Sequence, residues 1–309
     1  MMRVGIVGGR GYVGEELIQI LLQHEKSEIV FVGSTSQAGE LVADHSDQIE
    51  DRVLRFDAMD LARMREQEVD VWVLAQANGQ AAQWVADLDN GRAKFLDISA
   101  DFRFDQDWVY GLPEWNRQRI KGAARVANPG CYATAAQFAL NPLKPYLLPT
   151  PTVFGISGFS GAGKTPSDKN DPRRLHNNIL PYRLTDHMHE REVSQQLEMP
   201  IDFMPHVAAF FRGITVTINA HLDRVVDLQE RFEKCYSGNE LVEVQSSIPE
   251  VADVRGTPRC IVGGFEFIAD TKRAVIVSVI DNLLKGAASQ AVQNLNLMFE
   301  LPENTGLLP

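Results

Sequence analysis

RVGIVGGRGYVGEELIQILLQH, residues 3–24, decides the fold. The apolar run from Arg3 to Gly9 reads as a buried strand, and from Gly14 to His24 apolar residues recur at helical spacing. Between them Gly8, Gly11 and Gly14 keep the spacing G-x-x-G-x-x-G, with Gly9 as an extra. Glycines at a strand-to-helix turn let the backbone approach a pyrophosphate closely. The helix start beyond adds amides and the positive end of its dipole. The stretch reads as the opening unit of a dinucleotide-binding domain. Gly8, Gly11, Tyr12, Val13 and Gly14 are its candidate cofactor-holding residues, and a tight turn without a ligand is the alternative.

The end of the next strand, 28–34, bears on which dinucleotide is held. An NAD site places an Asp or Glu about 20 residues beyond the glycines, for the ribose hydroxyls. Here Ser34-Thr35-Ser36-Gln37 occupies that place and the first acid is Glu40. Hydroxyls and amides donate to a 2'-phosphate that a carboxylate would repel. NADP is expected, with Ser34 and Ser36 beside its phosphate, although the arginine usual at such a site is missing from the stretch.

Outward from here the alternation continues. Strands are expected at 69–76, 94–99 and 124–128 and a helix at 80–91, which gives an α/β Rossmann-like parallel sheet. The second half changes character. Strands at 151–158 and 212–222 and a hairpin within 266–281 point to an α+β domain with a mixed or antiparallel sheet. The last amphipathic run, 283–300, reads as a helix that packs back on the first domain. The expected division is 1–131 with 283–309 for the dinucleotide domain and 132–282 for the second.

The 309 residues carry a net charge of −11 and three cysteines. An acidic chain does not suit a general nucleic-acid binder. No stretch approaches the roughly 20 apolar residues of a membrane span, and no leader pattern opens the chain, so the cytoplasm is the expected compartment. Cys131, Cys235 and Cys260 are too widely spaced for a zinc site or a disulfide framework, and no metal is expected.

Cys131 stands in ARVANPGCYATAAQFAL, residues 124–140, between a strand end and a helix start. Helix amides and the dipole favour a thiolate there, and Pro129-Gly130 presents it at the carboxyl end of a parallel strand, where such sheets bind ligands. A nucleophile and a small packing residue are both open readings. TDHMHEREV, 185–193, offers a base. His189 and Glu192 would share a helix face, so that the carboxylate orients the imidazole. A surface histidine pair is the plainer alternative, and His206 is a second candidate base. Gly158 to Thr165 has the spacing of a phosphate-binding loop, but no convincing helix follows and ATP binding is not expected. Arg103 and Arg212 offer bidentate forks for carboxylate or phosphate. With Asn128 and His187 they are the candidate substrate-binding residues.

Taken in order, GGRGYVGEEL, DISADFR, YGLPEWNR, ANPGCYATA, SGFSGAGK, HMHERE, RGITVT and DNLLKGAASQAVQN resemble the N-acetyl-gamma-glutamyl-phosphate reductases, relatives of aspartate-semialdehyde dehydrogenase. The resemblance runs over nearly the whole chain. It implies that Cys131 forms a thioester from an acyl phosphate, that NADPH reduces it, and that a histidine, here His189, handles the protons. It also implies that Ser157, Gly158, Ser160 and Gly161 line the cofactor, that Asn282 reaches its nicotinamide end, and that the second domain forms a homodimer or homotetramer. Three stretches depart from the family pattern. AQANG, 75–79, replaces ALPHG; His187-Met188-His189-Glu190-Arg191-Glu192 replaces H-R-H-x-P-E; and Ala133 replaces a proline after Cys131-Tyr132. The same chemistry on a carrier-bound aminoadipyl phosphate, a non-catalytic NADP-binding regulator and a thiol hydrolase are the alternatives.

Overall fold

The structure is a computed structural model and describes residues 1–308. They divide into two compact units, Met1–Pro129 with Ala287–Pro309, and Gly130–Gly286. The junctions lie two residues before and four residues after those expected from the sequence.

The first unit is built on seven strands: β1 (Met2–Val7), β2 (Ser27–Ser34), β3 (Asp57–Ala58), β4 (Val71–Leu74), β5 (Lys94–Asp97), β6 (Val109–Tyr110) and β7 (Arg125–Ala127). Their order is β3-β2-β1-β4-β5-β7-β6, and every pairing is parallel. Both faces are covered, as continuous apolar strands require. On one face Ile6, Val32 and Val73 pack with Leu17 and Leu21 of the helix Tyr12–Gln23 and with Val292 and Leu295 of the helix Ser289–Met298. On the other, Trp72, Leu74 and Phe95 pack with Val85 and Leu88 of the helix Ala81–Leu88. The strand order reverses between β1 and β4. Such a switch point opens a crevice at the carboxyl ends of the strands, where ligands bind.

The second unit holds β8 (Thr152–Gly158), β9 (Ile179–Pro181), β10 (Asp202–Ala208), β11 (Ile214–His221), β12 (Val242–Val244), β13 (Cys260–Ile268) and β14 (Arg273–Ile280). They lie in the order β12-β13-β14-β11-β8-β10-β9 and form a mixed sheet. The expected hairpin is β13 and β14, paired antiparallel. Side chains alternate between faces along a strand. Val153 and Phe203 point to the buried side, while Phe154 on the other side is 40% exposed with Ile156, Met204 and Thr217 around it. The run expected as one helix over 283–300 begins instead with a wider π turn, Leu284–Ala288, before the regular helix from Ser289. No helix among the described residues is long and apolar enough to cross a membrane.

Candidate active site

Cys131 is the first residue of the helix Cys131–Leu140. Gly130 caps the helix in an extended conformation, φ −75° and ψ 152°, and no side chain caps the first turn. Every residue from Tyr132 to Leu140 is buried, whereas Cys131 is only partly so. The thiol therefore opens from an otherwise enclosed helix, at the end where the dipole favours a negative charge. The other cysteines lack these features. Cys260 is fully buried, with Sγ 3.6 Å from Ser278 Oγ, and burial pushes the Cys235 thiol up. Gly286, in the π turn, lies against Cys131. A Cβ placed on it would come 2.7 Å from Cys131 Cβ and 3.3 Å from Cys131 Cα.

The segment expected to supply the base is the helix Met188–Leu197, which packs beside the helix Cys131–Leu140. Glu192, 1% exposed, accepts a hydrogen bond from the Gly130 amide at 2.9 Å through Oε1. The spacing pointed to an imidazole-orienting role; the geometry also engages this carboxylate with the backbone just before Cys131. The His189 ring centroid lies 6.0 Å from that of Tyr132, the residue after Cys131, and 5.0 Å from that of His187. His206 lies elsewhere. Its ring packs at a tilt against Phe154, centroids 4.5 Å apart, on the face of the sheet opposite Phe203 and Tyr132.

His187 is the N-cap of the same helix, and its Nδ1 accepts from the His189 amide at 3.1 Å. Its ring is enclosed by Tyr182, His189 and Phe203. Burial lowers its pKa from 6.5 to about 4, and the nearby Arg183 and Lys169 charges add to the shift. His187 is thus neutral near pH 7, a cap and a wall more than a proton carrier. Between pH 6.5 and 4 the unfolded chain binds a proton here that the folded chain refuses. Stability is accordingly full above the upper value and falls as the pH drops towards the lower one, by on the order of 3 kcal/mol. Urea melts of the wild type and of His187→Asn, which keeps a capping side chain, check this. The wild type should lose more stability than the variant over that window, and equal losses would refute it.

Tyr182 escaped the sequence reading, since nothing in its neighbourhood marks it as more than a loop aromatic. Burial raises the phenols of Tyr132 and Tyr182 well above their ordinary range, and a Cys131 thiolate adds to both shifts. Both hydroxyls stay protonated. Tyr132 donates its own to the His206 carbonyl at 2.6 Å.

The glycine-serine stretch after β8 meets Asn282 within the second unit. Asn282 Nδ2 donates to Ser160 Oγ at 2.9 Å, and its Oδ1 accepts from the Gly213 amide at 2.6 Å. Ser157 Oγ donates to the Gly158 carbonyl at 2.9 Å, and a Cβ on Gly161 would sit 3.0 Å from that same Oγ. The expected substrate fork of Arg212 is turned inward. Its Nε and a terminal nitrogen donate to the Asp281 carboxylate at 2.6 and 3.1 Å, and Asp281 is fully buried. This pair, buried at its Asp281 end, braces the turn that carries Asn282.

In the first unit Gly8 has φ +88°, a conformation that favours glycine, and a Cβ there would come 2.9 Å from the backbone of Gln76. Gly11 is the N-cap of the first helix, without a side-chain cap, and has no neighbour within 4 Å of its Cβ direction. The turn thus leaves room above the helix start for a diphosphate. The arginine not found near Ser34 arrives from the glycine turn itself: an Arg10 terminal nitrogen donates to Ser36 Oγ at 2.6 Å. Ser34 is buried and its Oγ accepts from the Gln37 amide at 3.1 Å. Arg103 and Asn128, expected to face substrate, are engaged internally. Arg103 donates to the carbonyls of Asn128 and Ile98, at 2.9 and 3.1 Å. Asn128 donates to the Ala287 carbonyl at 3.2 Å and accepts from Asn294 at 2.9 Å.

Comparison with known proteins places this geometry. Residues 3–123 match the semialdehyde dehydrogenase NAD binding domain and residues 131–282 the semialdehyde dehydrogenase dimerisation domain. The chain is 47% identical to the N-acetyl-gamma-glutamyl-phosphate reductase of Xanthomonas campestris pv. campestris strain 8004, covering 98% of each. It is 45% identical to that of Xylella fastidiosa strain 9a5c, covering 98% of this chain and 92% of the other. Among solved structures, aspartate semialdehyde dehydrogenase II of Vibrio cholerae complexed with ASA superposes with a TM-score of 0.80 at 18% identity, covering 97% of this chain and 98% of that one. The Candida albicans aspartate semialdehyde dehydrogenase with NADP gives 0.75 at 15% identity, covering 97% and 99%. At these identities the solved structures speak for the fold alone.

Proposed function

The chain belongs to the semialdehyde dehydrogenase family, among its N-acetyl-gamma-glutamyl-phosphate reductases, and from that membership we propose that it reduces N-acetyl-gamma-glutamyl phosphate to N-acetylglutamate 5-semialdehyde, releasing inorganic phosphate, in arginine biosynthesis. The observation that carries the reading is the half-open Cys131 thiol at the uncapped start of a buried helix, with the Glu192 carboxylate holding the preceding amide.

Cys131 Sγ attacks the acyl carbon. The bond from that carbon to the phosphate oxygen breaks, phosphate leaves with the electron pair, and a thioester remains. His189 takes up the thiol proton and later returns one to the product side. Amides of the first helical turn face the oxygen that gains charge during the attack. Tyr182, protonated by its burial, keeps its hydroxyl as a donor. A bound NADPH supplies the hydride that reduces the thioester. Cys131 then leaves as a thiolate when the aldehyde is released.

Gly8, Gly11 and Gly14 would hold the diphosphate of this cofactor, with Tyr12 and Val13 at the helix start. Ser157 to Gly161 and Asn282 are assigned to its nicotinamide side through the resemblance. Preference for NADPH rests on Arg10 and Ser36, whose side chains meet where an NAD site carries an acid. Removing a charged hydrogen-bond donor to a phosphate costs about tenfold or more in affinity. Arg10→Ala should therefore weaken NADPH binding by that factor and leave NADH binding nearly unchanged. Titration of the two cofactors by fluorescence reads both, and an equal loss for each would refute the assignment. His187 lines the substrate's side of the nucleophile, whereas Arg103, Asn128 and Arg212 act as braces.

The uncovered sheet face around Phe154 supports a homodimer or homotetramer. Phe154→Glu should lower the mass in solution by light scattering, and an unchanged oligomer would place the interface elsewhere. The three free cysteines accord with work in the cytoplasm.

The reverse reaction tests the whole reading. N-acetylglutamate semialdehyde, NADP and phosphate should give phosphate-dependent NADPH absorbance. Turnover with an aminoadipate-type semialdehyde, but not with this one, would transfer the same chemistry to the carrier-bound alternative. Tight NADPH binding with no turnover of either would favour a regulator.

A further inference from the structure

The stretch 164–183, which runs from the loop after β8 through β9 to Tyr182 and Arg183, gathers positive charge in a chain whose net charge is −11. It holds five lysines and arginines against two aspartates, Asp168 and Asp171. Both aspartates are already taken. Asp168 pairs with Arg174, and Asp171 pairs with Arg173 at 3.6 Å. Lys169 and Arg183 are left over. Neither side chain forms an ion pair or a hydrogen bond among the described residues, and both reach solvent, Lys169 half-buried and Arg183 exposed.

The fold fixes where these two charges stand. Asn170 closes the loop that carries Lys169. Its Nδ2 donates to the carbonyls of Gly163 and Thr165 at 2.9 and 2.8 Å, and its Oδ1 accepts from the Ser167 amide at 2.7 Å. Lys169 Nζ sits 4.9 Å from the centroid of the Tyr182 ring. Tyr182 follows the edge strand β9, and its amide donates to the Pro205 carbonyl at 3.2 Å. Arg183 comes next with φ +42°, a conformation rare for a residue with a side chain. The Tyr182 ring lies 5.7 Å from that of His187, which packs in turn on His189, and both cations bear on His187. Two unpaired positive charges beside one aromatic pair repel each other until an anion joins them. A phosphoryl group, close to doubly charged at neutral pH, matches two cations better than a carboxylate does. The forks first expected to meet substrate, Arg103 and Arg212, are turned inward, so this pair supplies a charge that they do not.

We propose that Lys169 and Arg183 form a phosphate subsite, which receives the phosphoryl group of the acyl phosphate in the forward direction and inorganic phosphate in the reverse. The proposal rests on the reading of this unit as an acyl-phosphate reductase. Lys169→Met and Arg183→Met in the full-length protein test it in the reverse reaction, with KM measured separately for phosphate and for N-acetylglutamate semialdehyde. Each variant should raise KM for phosphate about tenfold, the loss of one charged hydrogen bond, and leave KM for the semialdehyde near the wild-type value. Lys169→Arg, which keeps the charge, should stay near the wild type on both. A KM for the semialdehyde that rises while that for phosphate holds overturns the proposal, because the cations would then serve the carboxylate. Unchanged values for both substrates overturn it too, as does a loss in Lys169→Arg equal to that in Lys169→Met. These outcomes leave the reductase reading standing, whereas a wild type without phosphate-dependent turnover overturns that reading and this proposal with it.

Discussion

Cys131→Ser is expected to lower phosphate-dependent turnover by at least about four orders of magnitude, the scale seen when a covalent nucleophile is removed, while NADPH binding stays at the wild-type level. A serine hydroxyl at the same helix start is far less acidic than a thiol, and the helix terminus that favours a thiolate does not yield an alkoxide at neutral pH. The glycine turn that would hold the cofactor lies in the other unit, so its affinity should not register the change. Steady-state kinetics and cofactor titration on one preparation separate the two quantities. A serine variant that kept a substantial part of the wild-type turnover would sink the thioester route. Loss of cofactor binding together with turnover would point to a damaged fold.

Gly286→Ala is expected to cost about a hundredfold in kcat, the penalty that follows when reacting groups are displaced by about an ångström. The added methyl would sit 2.7 Å from Cys131 Cβ, closer than carbon atoms tolerate, so the π turn or Cys131 must give way. The helix behind Cys131 is buried throughout and cannot retreat cheaply. The readouts are kcat, the rate of Cys131 alkylation by iodoacetamide, and the melting temperature. Lost turnover in a still-folded protein whose thiol still alkylates identifies mispositioning. Turnover near the wild-type value would show that the contact does not constrain the nucleophile.

Nothing in DNLLKGAASQAVQN marks its glycine as the neighbour of a cysteine 155 residues earlier in the chain. The parallel sheet was legible because β1, β2 and β4 are short apolar runs bounded by glycine and polar turns, and such runs have few other uses. The two-residue strands β3 and β6 were not, because edge strands that short carry no periodicity. The helix Pro113–Ile120 was also missed. Only its Pro113 and Ile120 are buried, too few to draw an apolar stripe. The helix starts at Cys131 and in the histidine segment were legible, because capping and turn residues stand next to them in the sequence. Roles that depend on partners distant in sequence were not. Arg103 and Arg212 read as open forks, since no pattern shows that backbone carbonyls and Asp281 already occupy them. Arg10 went unnoticed for the converse reason, because it reaches a serine 26 residues onward.

The helix Ser289–Met298 completes the core of a sheet whose last strand ends at Ala127. The second unit, by contrast, is one uninterrupted segment. During synthesis the dinucleotide unit therefore emerges first yet waits, one face of its sheet still bare, until nearly the whole chain has left the ribosome. The second unit has all its residues in hand earlier, so the order of closure runs against the order of emergence. Chain termination before residue 289 would then strand a finished second unit on an unfinished first one, a product marked for proteolysis by its uncovered apolar sheet.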